Sequence, residues 1–387
     1  MKAKRKMRNT MILLMPALII GVAISFGSKL LNGLGNATLV LAGSQVPAGG
    51  MSTLFDELEG KSDEEIQKDI DALDIPKTTE KDNQSTVISS GKSSSGLTSY
   101  ASNETPSDIK KLIEKAKTEQ ANAKKDGEIR EMTYGRANAS DVYENVYVKN
   151  VNPKHGIDIK ACLSAKAKLS TNTAEPIVLI YHTHTTEAYE TLDRGYYSNT
   201  FGTRSSDPAT NMVRVGDALC ERLSAAGYTV IHDREIHDTS YTGSYGRSRE
   251  AIENYKKQYP GLQVIIDVHR DGIKNSDGTK TKPVTTINGK KSAQIMIIAG
   301  CQDGPVTEFP GWQDNLNFAV QLQKHAEDLY PTLMRPIFFS PRKYNMDTSP
   351  CGILLEFGSD ANTLDEAVYA GALMGDALAS LLNDYKG

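Results

Sequence analysis

Apolar and polar positions are spread unevenly along this chain. Positions 9–28 carry no charge, and 11–26 is apolar almost throughout. From 30 to 135 apolar residues are sparse. A short amphipathic helix is predicted at 62–73, where Ser62 and Glu65 form a capping box and Ile66, Ile70 and Leu73 share a face. Segment 77–98 is Ser, Lys, Thr, Asp and Gly with almost nothing to bury, and 110–125 reads as a charged, solvated helix.

The pattern changes near residue 140. Short apolar runs appear, each bounded by polar or turn residues: 176–181 (PIVLIY), 228–232 (YTVIH), 262–268 (LQVIIDV), 294–299 (QIMIIA), 337–339 and 352–357 (GILLEF). Helix-period segments alternate with them. Segment 211–226 places Met212, Val215, Leu219 and Leu223 on one face and ends at Gly227; 247–257 precedes Pro260; 312–329 and 363–382 follow. β-branched strands alternating with helices predict an α/β fold, a mainly parallel sheet with helices on both faces. Segment 137–170 adds an edge strand and a helix. The expected organisation is an N-terminal membrane helix at 1–29, a low-complexity spacer with one short helix at 30–135, and an α/β domain at 136–387.

The N-terminus places the chain. Five of the first eight residues are basic (Lys2, Lys4, Arg5, Lys6, Arg8), and the twenty uncharged residues after them suffice to cross about 30 Å of hydrocarbon. The basic flank stays cytoplasmic, so the rest is expected outside, tethered by a single uncleaved anchor. A cleaved signal peptide is the rival, with Ala23-Ile24-Ser25 as its cleavage site. A net charge of −4 gives no basic face for nucleic acid. Four cysteines spaced 50 or more residues apart exclude a disulfide scaffold and a CxxC knuckle.

Reactive side chains gather at the predicted strand ends. The first strong strand runs into His182-Thr183-His184-Thr185-Thr186-Glu187, the third into His269-Arg270-Asp271, and the last contains Glu356. In open α/β sheets ligands bind beyond the carboxyl ends of strands. Two imidazoles and a carboxylate suit Zn²⁺, with one position left for water. The expected ligands are His184, Glu187 and His269, with Glu356 as unliganded general base. His182 is the rival to His184, since residues two apart on a continuing strand share a face. Glu356 interrupts a run fit for full burial, so it must be bound, protonated or paired, Arg270 being the partner in the last case. His155, His232, His237 and His325 read as surface or hydrogen-bonding histidines. HTHTTE lacks the aspartate and third histidine of HxHxDH, and HExxH, GxSxG and a Gly-rich phosphate loop are absent.

Five segments in order, VLIYHTHTTEAY, GYTVIHDREIHD, SYGRSRE, VIIDVHRDG and GILLEFGSDANTLDEA, resemble the stage II sporulation protein P family from about Val142 to the C-terminus. The resemblance implies the amidase type-3 fold and a zinc-dependent N-acetylmuramoyl-L-alanine amidase. It matches His184 and His269 to the zinc histidines and Glu356 to the catalytic glutamate. The glutamate ligand of that superfamily lies near the start of the first helix, which here reads Pro208-Ala209-Thr210-Asn211 with no acid; Glu187 is the substitute. The substrate implied is peptidoglycan, cut at the lactyl–L-alanine amide and also at peptide cross-links, during sporulation engulfment. The implied place is the mother-cell membrane facing the intermembrane space, with stage II sporulation proteins D and M as partners. Two alternatives stand beside it: a membrane-tethered binding module with a structural metal, and a zinc carboxypeptidase acting on stem peptides.

Overall fold

The computed structural model describes residues 63–73, 75, 86–88, 101–152, 154–171 and 175–386. All of them belong to one compact unit, Ala48–Gly387. The expected anchor at 1–29 lies outside the described residues, and no helix among those described is long and apolar enough to cross a membrane.

In chain order the elements are α1 (Asp63–Asp71), β1 (Thr86–Ile88), α2 (Ser107–Glu119), β2 (Gly127–Met132), β3 (Asp141–Tyr143), β4 (Val146–Asn150), α3 (Ile159–Ser164), β5 (Val178–Tyr181), β6 (Tyr196–Tyr197) and α4 (Met212–Ala225). Then come β7 (Val230–His232), α5 (Ser244–Gln258), β8 (Val264–Asp271), β9 (Lys280–Ile287), β10 (Lys290–Ala293), β11 (Ile295–Gly300), α6 (Trp312–Leu329), β12 (Ile337–Ser340), β13 (Cys351–Ser359) and α7 (Leu364–Asn383).

A nine-stranded sheet runs in the order β1-β7-β5-β8-β13-β11-β12-β4-β3. Its central strands, such as β5 and β8, are buried along their whole length because both faces are covered. Val178 and Ile180 of β5 and Val264, Ile266 and Val268 of β8 join the large core on one side, where α4, α6 and α7 supply Leu219, Phe318 and Leu373. Leu179, Tyr181 and Ile265 turn the other way, onto Ile252 of α5. This is the period-2 alternation of strand side chains.

The expectation of a mainly parallel sheet is corrected: the sheet is mixed. Antiparallel ladders join β1 to β7, β13 to β11 and β4 to β3. After β8 the chain enters a second sheet, of order β10-β9-β2-β6, and returns to the first from its opposite end as β11. Asn288-Gly289, both at positive φ, close the β9–β10 hairpin with the left-handed pair that such two-residue turns demand.

Residues before 136 also pack onto the body. Ala101 and Ile109 lie in the main core, the Ala101 N–H donates to Asp376 (2.8 Å), and β2 pairs with β9 in parallel. β2 is polar and largely exposed; its ladder holds it rather than apolar burial, so a search for apolar runs passes over it. The predicted helix at 62–73 is present as α1, with Ile66 and Ile70 buried.

Candidate active site

The parallel registers decide which strand-end residues meet. Ile180 pairs with Ile266, and Glu356 pairs with His269. Asp267 and His269 therefore share one face, and Glu356 stands beside His269 on the neighbouring strand. The Nε2 of His269 lies 2.8 Å from Asp267 Oδ1. Its other ring nitrogen, Nδ1, is 3.6 Å from Glu187 Oε2.

β5 stops at Tyr181, and residues 183–186 form a turn closed by the Glu187 N–H donating to His184 O (3.1 Å). Each threonine of HTHTTE fastens this turn. Thr183 donates through N–H and Oγ1 to the two oxygens of Asp267 (2.9 and 2.7 Å). Thr185 Oγ1 donates to Glu235 O (2.8 Å), and Thr186 Oγ1 to Asp238 Oδ2 (2.6 Å). Arg204 donates to Thr186 Oγ1 and Asp238 Oδ2, each at 2.9 Å. The turn brings His184 to His269, edge to face, with ring centroids 5.3 Å apart. Arg270 N–H donates to Glu187 Oε2 (3.1 Å) and orients that carboxylate.

His184, Glu187, His269 and Glu356 line one cavity, with Tyr241, Tyr245 and Tyr344 as an aromatic wall. Tyr241 stacks on His184 (4.8 Å, 14°), and Tyr245 stacks on Tyr344 (5.1 Å, 25°). All four site side chains are at most 7% exposed. The cavity is about 50 Å³, room for a few waters. Ile66 of α1 forms part of its lining.

His182 is not brought into this group. The register sets it level with Val268, on the face opposite His269. Both its nitrogens are engaged there, Nδ1 with Val268 O (3.0 Å) and Nε2 with His232 Nε2 (2.9 Å). Burial and His232 hold it down at about 3. Gly216 of α4 makes room for the pair, because a Cβ there would lie 2.5 Å from His232 Nε2 and 2.8 Å from His182 Nε2.

The electrostatics divide the remaining residues. Burial, with the charges of His269, Arg204, Arg270 and Arg247, holds His184 well below the ordinary imidazole range. Burial also opposes charge on His269, but Asp267, with Glu187 and Glu356, outweighs it and raises this imidazole to about 9. Burial first, and the Asp271 carboxylate second, push Glu356 well above the usual carboxylate range. Arg335, fully buried, holds Asp271 at 3.0 Å. Arg270, the ion-pair partner that the alternative reading gave Glu356, donates to Ala188 O and Thr203 O.

The residues fit a metal in one specific respect. His184 Nδ1 and Glu356 Oε2 are buried without a hydrogen-bond partner, a costly arrangement that bound ions or waters relieve. Among the described residues, the trio whose donor atoms all lie within 4.8 Å of one another is a different one, Asp233, Glu235 and His237. There His237 Nε2 and Asp233 Oδ2 already satisfy each other at 2.8 Å, and Glu235 is solvated. Sequence reasoning missed Asp267 and Asp238. Asp267 carried the same signal as Glu356, an acid inside a run otherwise fit for burial.

Among solved structures the chain is similar to the N-acetylmuramoyl-L-alanine amidase AmiC2 of Nostoc punctiforme, at 14% identity over 54% of this chain and 96% of that one (TM-score 0.32). It is also similar to the CwlD amidase from Clostridioides difficile in complex with the GerS lipoprotein, at 12% identity over 54% and 99% (TM-score 0.33). The Stage II sporulation protein P of Bacillus subtilis (strain 168) is 30% identical over 220 residues, 54% of this chain and 51% of that protein. The chain thus spans about half the length of the curated relative it matches. The family profile of Stage II sporulation protein P matches residues 60–379, a stretch that takes in α1, both sheets and the whole cavity. On that match the chain belongs to the stage II sporulation protein P family.

Proposed function

We propose that this chain is a zinc-dependent peptidoglycan hydrolase that cuts the amide between N-acetylmuramic acid and L-alanine, and also peptide cross-links, during engulfment. In this reading 1–29 anchors it in the mother-cell membrane, the body works in the intermembrane space, and stage II sporulation proteins D and M are its partners. The observation that carries the chemistry is the convergence of His184, Glu187, His269 and Glu356 on one cavity, with His184 Nδ1 and Glu356 Oε2 left without a hydrogen-bond partner.

His184, Glu187 and His269 would hold the ion. Bound zinc supplies a Lewis acid for the scissile carbonyl and lowers the pKa of water toward about 7. Asp267 fixes the ring of His269, and Arg270 N–H fixes Glu187. Glu356, whose Oε2 makes no hydrogen bond, takes a proton from the attacking water and returns it to the leaving amine.

Digestion of purified cell wall, with chelator and with zinc restored, tests the reading. Free stem peptides that vanish with chelator and return with zinc are expected. Shortened stems would make the protein a carboxypeptidase, and wall retention without release would make it a binding module.

A further inference from the structure

One element at the site takes no part in the reaction just described. Ile66 of α1 lines the same cavity as His184, Glu187, His269 and Glu356. Ile66 and Ile70 are each 1% exposed, whereas Glu64, Glu65, Lys68 and Asp71 face solvent. Gln67 Oε1 accepts from the Tyr241 N–H (2.8 Å) and from Ser240 Oγ (3.2 Å). Tyr241 is the residue whose ring stacks on His184. Helix, aromatic wall and site histidine are therefore joined in sequence. With α1 seated, the cavity of about 50 Å³ is far below the roughly 300–1,000 Å³ of pockets that enclose organic ligands.

We infer that α1 is a stopper carried by the chain itself. Residues 63–71 occupy a seat beside Tyr241 and must leave it before a substrate reaches His184 and His269. The substrate named here rests on the hydrolase reading; the closure does not. Ile66, Ile70 and Gln67 take part in the seat, and five of the nine helix residues are acidic. Its acidic residues keep such a helix soluble once released. A ligand opens it only by binding the open state better than the closed one.

The test uses the full-length chain, stripped of divalent ions, as wild type, Ile66→Asp and Gln67→Ala. Gln67→Ala removes the two hydrogen bonds while keeping a good helix former, so it guards against misfolding. Histidine modification by diethylpyrocarbonate is followed by mass spectrometry. At least a tenfold faster modification of His184 and His269 is expected in Ile66→Asp, and a smaller rise in Gln67→Ala. His182 and His232, buried away from the cavity, stay unmodified in all three and report an intact fold. Unchanged rates at His184 and His269 would overturn the stopper. On purified wall, with zinc restored to all three proteins, Ile66→Asp should release product faster than wild type. Slower release despite greater access would also overturn it, making α1 part of the working site. Greater access with no release by any of the three leaves the stopper standing and removes the hydrolase reading.

Discussion

Glu356 stands directly across the β13–β8 ladder from His269. Two strands far apart in sequence thus set a carboxylate and an imidazole side by side, and Asp267, two residues before His269, sits on the same face against the ring at 2.8 Å. A carboxylate behind a ligating histidine fixes its orientation and raises its basicity. Asp267→Asn should weaken zinc binding about 10–100-fold, measured by competition with a chromophoric chelator. Undiminished affinity would leave Asp267 with only its turn-fastening role toward Thr183.

The two histidines of HTHTTE should separate cleanly. His184→Ala is expected to lose bound zinc. His182→Ala is expected to keep it and to lose about 1–3 kcal/mol of stability, because His232 loses a buried partner. Metal analysis and urea unfolding of the two variants check this, and loss of zinc in His182→Ala would restore that residue as a ligand.

Gly358 tests the backbone that aims Glu356. It has φ +68°, and a Cβ there would lie 2.4 Å from Asn362 Oδ1. The β13–β8 register shifts between Glu356 and Ser359 at this point. Gly358→Ala should cost about 1–3 kcal/mol, seen as a lower urea midpoint at unchanged slope. A wild-type midpoint would show that the bend tolerates a side chain.

Glu190 gives the fold a pH dependence. Burial raises it to about 7, against the pull of Lys280 and Arg194. The folded carboxyl therefore binds its proton more tightly than an unfolded one, near ~4.3. Its contribution is fully present below the unfolded value and is lost as pH rises through about 7. Between pH 5 and 8 the wild type should lose up to about 3 kcal/mol from this group, and Glu190→Gln should lose correspondingly less. Parallel unfolding curves for the two proteins across that range would refute the assignment.

Much of the site was legible because its residues sit at the ends of strands that announce themselves by unbroken apolar runs. His184, Glu187, His269 and Glu356 could be named from that alone. The direction of His182 could not. It depends on the register of β5 against β8, which puts it level with Val268, and on β5 ending at Tyr181. The rule that residues two apart share a face applies only while a strand continues. The antiparallel entry of β11 and the second sheet were hidden for a related reason. β2 is short and polar, held by backbone pairing to β9 rather than by side-chain burial. α1 was legible as an amphipathic helix, but not where it docks, since two isoleucines do not specify a seat.

The most direct measurement pairs product analysis with metal content in Glu356→Gln. The wild type should free intact stem peptides from purified wall, while the variant holds the same zinc and frees none within the assay. Equal release by both proteins would take Glu356 out of the chemistry and contradict the account.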